Sequence, residues 1–186
     1  MIAMAGIPRC GTTMVSRALL GFRAGDTWRS FDGAQNVVVK THDPNADAVK
    51  NRREIDKAVF MYGDPVLAVV STKMNRYDKT HFRNCGCLLD PKDVNIYEYD
   101  VLNYEKMFDE WTKVSKNCPT LCLRYETLHE NRYLIEEFLE QKVELPERKE
   151  RSTREDMVSS VDLRLIKKTY HDLIVKIEQV PDWFIV

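Results

Sequence analysis

Met1-Ile2-Ala3-Met4-Ala5-Gly6-Ile7-Pro8-Arg9-Cys10-Gly11-Thr12-Thr13-Met14-Val15-Ser16-Arg17-Ala18-Leu19-Leu20 opens the chain, and its reading decides the fold. The short apolar run Met1 to Ala5 stops at Gly6, and after Thr12-Thr13 the residues Met14 to Leu20 are helix-compatible. The order is strand, glycine loop, helix. It recurs downstream. Val37-Val38-Val39 is β-branched and continuous, as in a strand buried on both faces, and runs into polar Lys40-Thr41-His42-Asp43. Ala58-Val59-Phe60-Met61-Tyr62 breaks at Gly63-Asp64-Pro65 and gives way to a helix from Val66 to Lys73, with Asp64 placed to cap it and Pro65 at the favoured first helical position.

From Met74 to about Asp100 the periodicity fails, which predicts a long loop or lid. Helical spacing returns over Tyr104 to Val114, a fourth strand is expected at Thr120-Leu121-Cys122-Leu123, and a helix from about Asn131 to Leu139. Val143 to Asp156 is heavily charged, and Val161 to Ile177 reads as one more helix. Strands alternating with helices imply an α/β fold with a mostly parallel central sheet flanked by helices. Ligands of such sheets sit beyond the carboxyl ends of the strands, so Arg9 to Thr13, Lys40 to His42 and Gly63 to Ser71 should meet at one edge.

The chain has 186 residues, 44% hydrophobic and 31% charged, which suits one domain of ordinary size and excludes collagen-like and wholly disordered chains. Lys and Arg number 28 against 29 Asp and Glu, a net charge of -1. That gives no field for nucleic acid or an anionic membrane, so an anion must be held locally. No apolar stretch reaches the roughly 20 residues of a membrane helix, and a cytoplasmic protein is expected. Five cysteines, Cys10, Cys85, Cys87, Cys118 and Cys122, are an odd number, so reduced thiols are expected; Cys85 and Cys87 near His81 lack a second pair with zinc spacing, and no metal site is expected.

Gly6 to Thr13 matches the phosphate-loop pattern G-x-x-x-x-G-K-[ST] except that Thr12 stands in place of the lysine. Backbone N–H groups and the following helix dipole suit a 5′-phosphate, with Thr12 and Thr13 adding hydroxyls, but the cation that reaches β- and γ-phosphates is missing. Arg9 places a cation earlier in the loop. Pro8-Arg9-Cys10-Gly11-Thr12-Thr13 resembles the 5′-phosphosulfate loop of sulfotransferases, usually Pro-Lys/Arg-Ser-Gly-Thr-Thr, with Cys10 replacing the serine. Lys40-Thr41-His42 is similar to the Lys-Thr-His of the cytosolic branch. Asp64-Pro65 with Ser71 resembles the segment that holds the donor's 3′-phosphate, where Gly63 stands in place of the family's arginine, and Arg124-Tyr125-Glu126-Thr127-Leu128 resembles a structural marker late in the sheet.

The resemblance covers roughly residues 1–130, with 131–186 as a C-terminal helical part of the same domain. It implies a three-layer P-loop-type fold and a sulfotransferase that takes the sulfuryl group from 3′-phosphoadenosine 5′-phosphosulfate, without a metal, to a small-molecule or glycan hydroxyl. His42, titrating near neutrality, is the expected base; Lys40 and Arg9 stabilise the developing charge. Pro8, Arg9, Cys10, Gly11, Thr12, Thr13 and Ser71 are the expected donor contacts. Lys73 or Arg76 could substitute for the missing arginine, Tyr77, His81 and Phe82 could line the acceptor pocket, and Asp43 is the next carboxylate available as a base. A nucleotide or nucleoside kinase and a nucleotide-binding module without turnover are the other readings of the same loop.

Overall fold

The structure, a computed structural model, describes residues 1–21, 38–44, 55–113, 118–148 and 152–186. Its centre is a five-stranded sheet in the order β2-β1-β3-β4-β5, built from β1 (Ile2–Gly6), β2 (Val38–Thr41), β3 (Lys57–Tyr62), β4 (Thr120–Arg124) and β5 (Trp183–Ile185). The first four strands run parallel; β5 pairs antiparallel with β4. The chain leaves β1 for β2 on one side and returns to β3 on the other, which opens a crevice at the carboxyl end of β1. Val37, read as the start of β2, lies outside the described residues.

Ala3 to Ala5 and Ala58 to Tyr62 are fully buried, so side chains on both faces of the central strands are covered, as the uninterrupted apolar runs require. Residues paired across parallel strands share a face. On the Ala5–Phe60 face, Phe60 stacks on Trp111 at 6.4 Å and meets Phe108 edge-on at 6.1 Å, both from a helix spanning Tyr104–Trp111. On the Gly6–Met61 face lies α1 (Thr12–Leu19), burying Val15 and Leu19. The helix α2 (Pro65–Asn75) begins as its sequence predicts. Asp64 accepts a hydrogen bond from the Leu67 N–H at 3.1 Å, and Pro65 opens the first turn.

Three sequence expectations change. Residues 74–100, expected as a long loop or lid, hold a short helix α3 (Lys79–Asn84) within a succession of turns, and bury Phe82, Cys85, Cys87, Ile96 and Tyr97. Here side chains take over the bonds that a periodic element would make within its own backbone. Asp78 accepts from His81 N–H, Asp90 from Lys92 N–H, and Asn95 from Tyr97 N–H. Asp100 then caps α4 (Tyr104–Trp111) by accepting from Tyr104 and Glu105 N–H groups at 2.9 Å each. Such turns leave no hydrophobic period to read.

The last helical stretch, after α5 (Arg132–Leu139), is two helices, α6 (Ser160–Thr169) and α7 (His171–Glu178). They break at Tyr170, whose buried hydroxyl donates to the Ile96 carbonyl at 2.9 Å. The tail then turns back as β5, too short at three residues to show alternation. The core face predicts its own test. Phe60→Ala should lower the free energy of unfolding in urea by about 3–5 kcal/mol, whereas Leu88→Ala, at a side chain 91% exposed, should change it by less than about 0.5 kcal/mol.

Candidate functional site

The loop after β1 is shaped by its backbone. Ile7 N–H donates to the Met61 carbonyl at 2.9 Å, tying the loop to β3, and Cys10 N–H donates back to the Ile7 carbonyl at 3.2 Å. Arg9 (φ 68°) and Gly11 (φ 78°) are both in the left-handed region, costly by about 1–2 kcal/mol for the arginine. Gly11 must be glycine on a second count: a Cβ there would lie 2.7 Å from the Tyr125 ring. It stands at the N-cap of α1 with no side-chain cap, so the N–H groups of the first turn point outward without an intrahelical acceptor. Thr13 is exposed, while Thr12 is buried and its hydroxyl has no hydrogen-bond partner among the described residues.

The second strand end delivers Lys40 and His42 beside that loop. Met4 and Ala5 pair with Lys40 and Thr41, which brings His42 level with Gly6. His42 Nδ1 lies 2.6 Å from the Gly6 carbonyl oxygen, which can only accept, so the proton is on Nδ1 and the Nε2 lone pair faces Lys40 Nζ at 3.0 Å. Burial, helped by the Lys40 charge, pushes the His42 pKa down to about 3. The imidazole is therefore neutral at pH 7 and titrates well below the range its sequence context implied. Burial also lowers the Lys40 pKa, with the Cys85 thiol opposing and Arg76 adding. A second imidazole, His81, lies with its ring 6.3 Å from that of His42; burial pushes it down to about 4, against Asp78 and with Lys40, Arg9 and Arg76.

The third strand end departs furthest from expectation. Gly63 has no side chain, and the place a Cβ would take lies 2.9 Å from both carboxylate oxygens of Glu126 and 3.3 Å from Cys10 Sγ, so a carboxylate and not a cation stands at this position. Glu126 instead accepts from Asp64 N–H at 3.2 Å and holds the turn into α2. Ser71 is buried and accepts from Arg9 Nε at 3.0 Å, joining the first loop to α2. Lys73 turns to the Tyr77 ring, 3.7 Å from its centroid, leaving Arg76 as the cation of that stretch on the cleft.

These elements enclose an open cleft of about 870 Å³. Arg9, Gly11, Thr12, Thr13, Lys40 and His42 line it, as the sequence places them, whereas Pro8, Cys10 and Ser71 lie behind its surface. Tyr77 and Phe82 pack edge-to-face on each other at 5.2 Å instead of lining it; of the three proposed acceptor-side residues only His81 does. Asp43 lies against Gly86 and is not among the cleft residues. Arg76, Lys79, Asn84 and Tyr125 also line the cleft; in sequence Arg76 is a candidate only for the missing arginine and Tyr125 only part of the structural marker late in the sheet. Tyr125 could have been found by the strand-end rule, since it follows β4 directly. Among the described residues no group of three or more His, Cys, Asp or Glu is placed to hold a metal ion. No family model matches the chain, and no curated protein matches it.

The depressed imidazoles make stability pH-dependent with a definite sign. As pH falls through about 6.5 the unfolded chain protonates both histidines, while the folded protein resists to about 4 at His81 and about 3 at His42. Stability present above pH 6.5 is thus lost on acidification, His42 contributing up to about 1.4 kcal/mol per pH unit. His42→Asn, which keeps a donor for the Gly6 carbonyl but cannot titrate, should flatten the decline measured by urea unfolding between pH 7 and 4. Equal slopes for parent and variant would contradict the buried neutral imidazole.

Proposed function

We propose that the protein is a sulfotransferase that moves the sulfuryl group of 3′-phosphoadenosine 5′-phosphosulfate to a hydroxyl acceptor, on a three-layer P-loop-type fold. The observation that carries this reading is the meeting, in one cleft, of the uncapped α1 N-terminus, Arg9 joined to Ser71, and a tautomer-fixed His42 beside Lys40. Dinucleotide or triphosphate chemistry would ask for other groups: the Walker lysine is absent, and sulfuryl transfer needs a base, a cation at the leaving oxygen and an in-line pocket.

Each group of the cleft has a role in this reading. The first-turn N–H groups of α1, Thr12, Thr13 and Arg9 hold the 5′-phosphate end of the donor. His42 Nε2 accepts the proton of the acceptor hydroxyl as its oxygen bonds to sulfur and the bond from sulfur to the phosphate oxygen breaks, the electron pair leaving with the bisphosphate. Lys40 must release Nε2 for this. Burial is the main cause of the low His42 pKa and the Lys40 charge the second; an anion at the cleft that draws the ammonium to itself relieves that second part, so the base gains strength when donor is bound. With Gly63 backed by Glu126, the 3′-phosphate lacks one bidentate partner.

Labelled sulfuryl transfer and calorimetric titration test the reading. His42→Asn should lower turnover by about 10²–10⁴-fold with bisphosphate affinity within about twofold of the parent. Arg9→Ala should weaken binding of adenosine 3′,5′-bisphosphate about tenfold or more, as expected for loss of a charge-assisted contact. The bisphosphate should be preferred over AMP by no more than about tenfold, since residue 63 contributes no cation. A second reading, a module that binds the nucleotide without turnover, is favoured by one observation, the occupation of both His42 nitrogens. Tight bisphosphate binding with no transfer to any hydroxyl would select it.

A further inference from the structure

We infer that the acceptor carries its own negative charge: the wall of the cleft facing His42 suits an acidic, saccharide-like hydroxyl compound and not a phenol or a sterol. The inference rests on the sulfuryl-transfer reading, in which the acceptor hydroxyl stands at His42 Nε2. Across from that atom are the end of α2 and the helix α3, since the His81 ring lies 6.3 Å from that of His42. The residues these two segments present to the cleft are Arg76, Lys79, Thr80, His81 and Asn84, together with Asp78 at the helix N-cap. None is apolar. Pockets for apolar ligands are walled mainly by aliphatic and aromatic side chains, and the aromatic residue of α3, Phe82, is turned away into the core against Tyr77. Met14 and Tyr125, the larger apolar groups of the cleft, belong instead to the start of α1 and the end of β4.

Charge on this wall is unbalanced in a particular way. Asp78 uses a carboxylate oxygen to accept from His81 N–H at 2.8 Å, and Lys79 is paired with Asp90 at 2.7 Å. Arg76 is exposed and makes no ion pair with a described residue, and its field falls on both Lys40 and His81. Three cations, Arg9, Lys40 and Arg76, therefore surround two neutral imidazoles. The loop and α1 supply the groups for the donor's 5′-phosphate, which leaves Arg76 for a second anion. A planar guanidinium takes a carboxylate or sulfate bidentately, and Thr80 and Asn84 offer the hydrogen bonds that neighbouring sugar hydroxyls require.

The test uses the full chain saturated with adenosine 3′,5′-bisphosphate. It is titrated by calorimetry with an unsulfated uronate-containing tetrasaccharide, with the same tetrasaccharide after reduction of its carboxylates to alcohols, and with 2-naphthol. The uronate form should bind at least tenfold tighter than the other two, with affinity falling as salt rises. Arg76→Ala should erase most of that preference while changing bisphosphate affinity less than twofold. Equal or tighter binding of the reduced saccharide or of 2-naphthol, or failure of the uronate form to bind, overturns the inference. So does a tenfold loss of bisphosphate affinity in Arg76→Ala with saccharide binding unchanged, because Arg76 would then serve the donor's 3′-phosphate. If the parent does not bind the bisphosphate at all, the sulfuryl-transfer reading fails, and the acceptor inference with it.

Discussion

Residue 6 has no room for a side chain, and the geometry of the cleft follows from that constraint. A Cβ there would lie 2.6 Å from both the Met61 carbonyl and the Thr12 hydroxyl, so only glycine lets α1 start against the end of β1 and β3 pass beside it. Its carbonyl also accepts the His42 Nδ1 proton at 2.6 Å. One backbone position thus sets where the first helix begins, which tautomer His42 adopts and which of its nitrogens faces the cleft. The ends of β1, β2 and β3 are tied together at this point before any ligand is considered.

Electrostatics at the cleft are a matter of local concentration. The chain as a whole is nearly neutral, yet Arg9, Lys40, Arg76 and Lys79 share one cleft with a single carboxylate, Asp78, among its described lining. Crowding of cations and burial act in the same direction on the imidazoles, and both His42 and His81 remain uncharged where an isolated histidine would begin to protonate. Burial is the larger cause at His42, and the Lys40 charge adds to it.

The third strand end shows how a departure at one position is absorbed by others. Where the resembling segment would carry an arginine, Gly63 leaves its space to the Glu126 carboxylate, which bonds the Asp64 N–H and packs near Cys10. Reversal of charge there follows from contacts between residues 63 and 126, far apart in sequence. The same applies to the wall of the cleft made by residues 76–84. Their mixed polar pattern resembles a loop in sequence, because Phe82 is the one side chain of α3 that is buried, and its partner Tyr77 lies outside the helix.

Much of the architecture was legible in the chain itself. Apolar runs without alternation marked strands covered on both faces, Gly6 and Gly11 marked a loop that only glycine can close, and Asp64-Pro65 marked a helix start, each through interactions within a few residues. Those local signals are enough for three converging strand ends and for Arg9, Thr12, Thr13, Lys40 and His42 at the cleft. Tertiary structure alone decided the inward packing of 74–100, the break at Tyr170, the three-residue β5, the burial of Pro8, Cys10 and Ser71, and the low basicity of His42. These depend on desolvation and on contacts across the fold, such as Tyr170 with Ile96 and Glu126 with Asp64. Neither quantity has a period or a spacing in sequence, because each is set by what the rest of the chain brings to the same place.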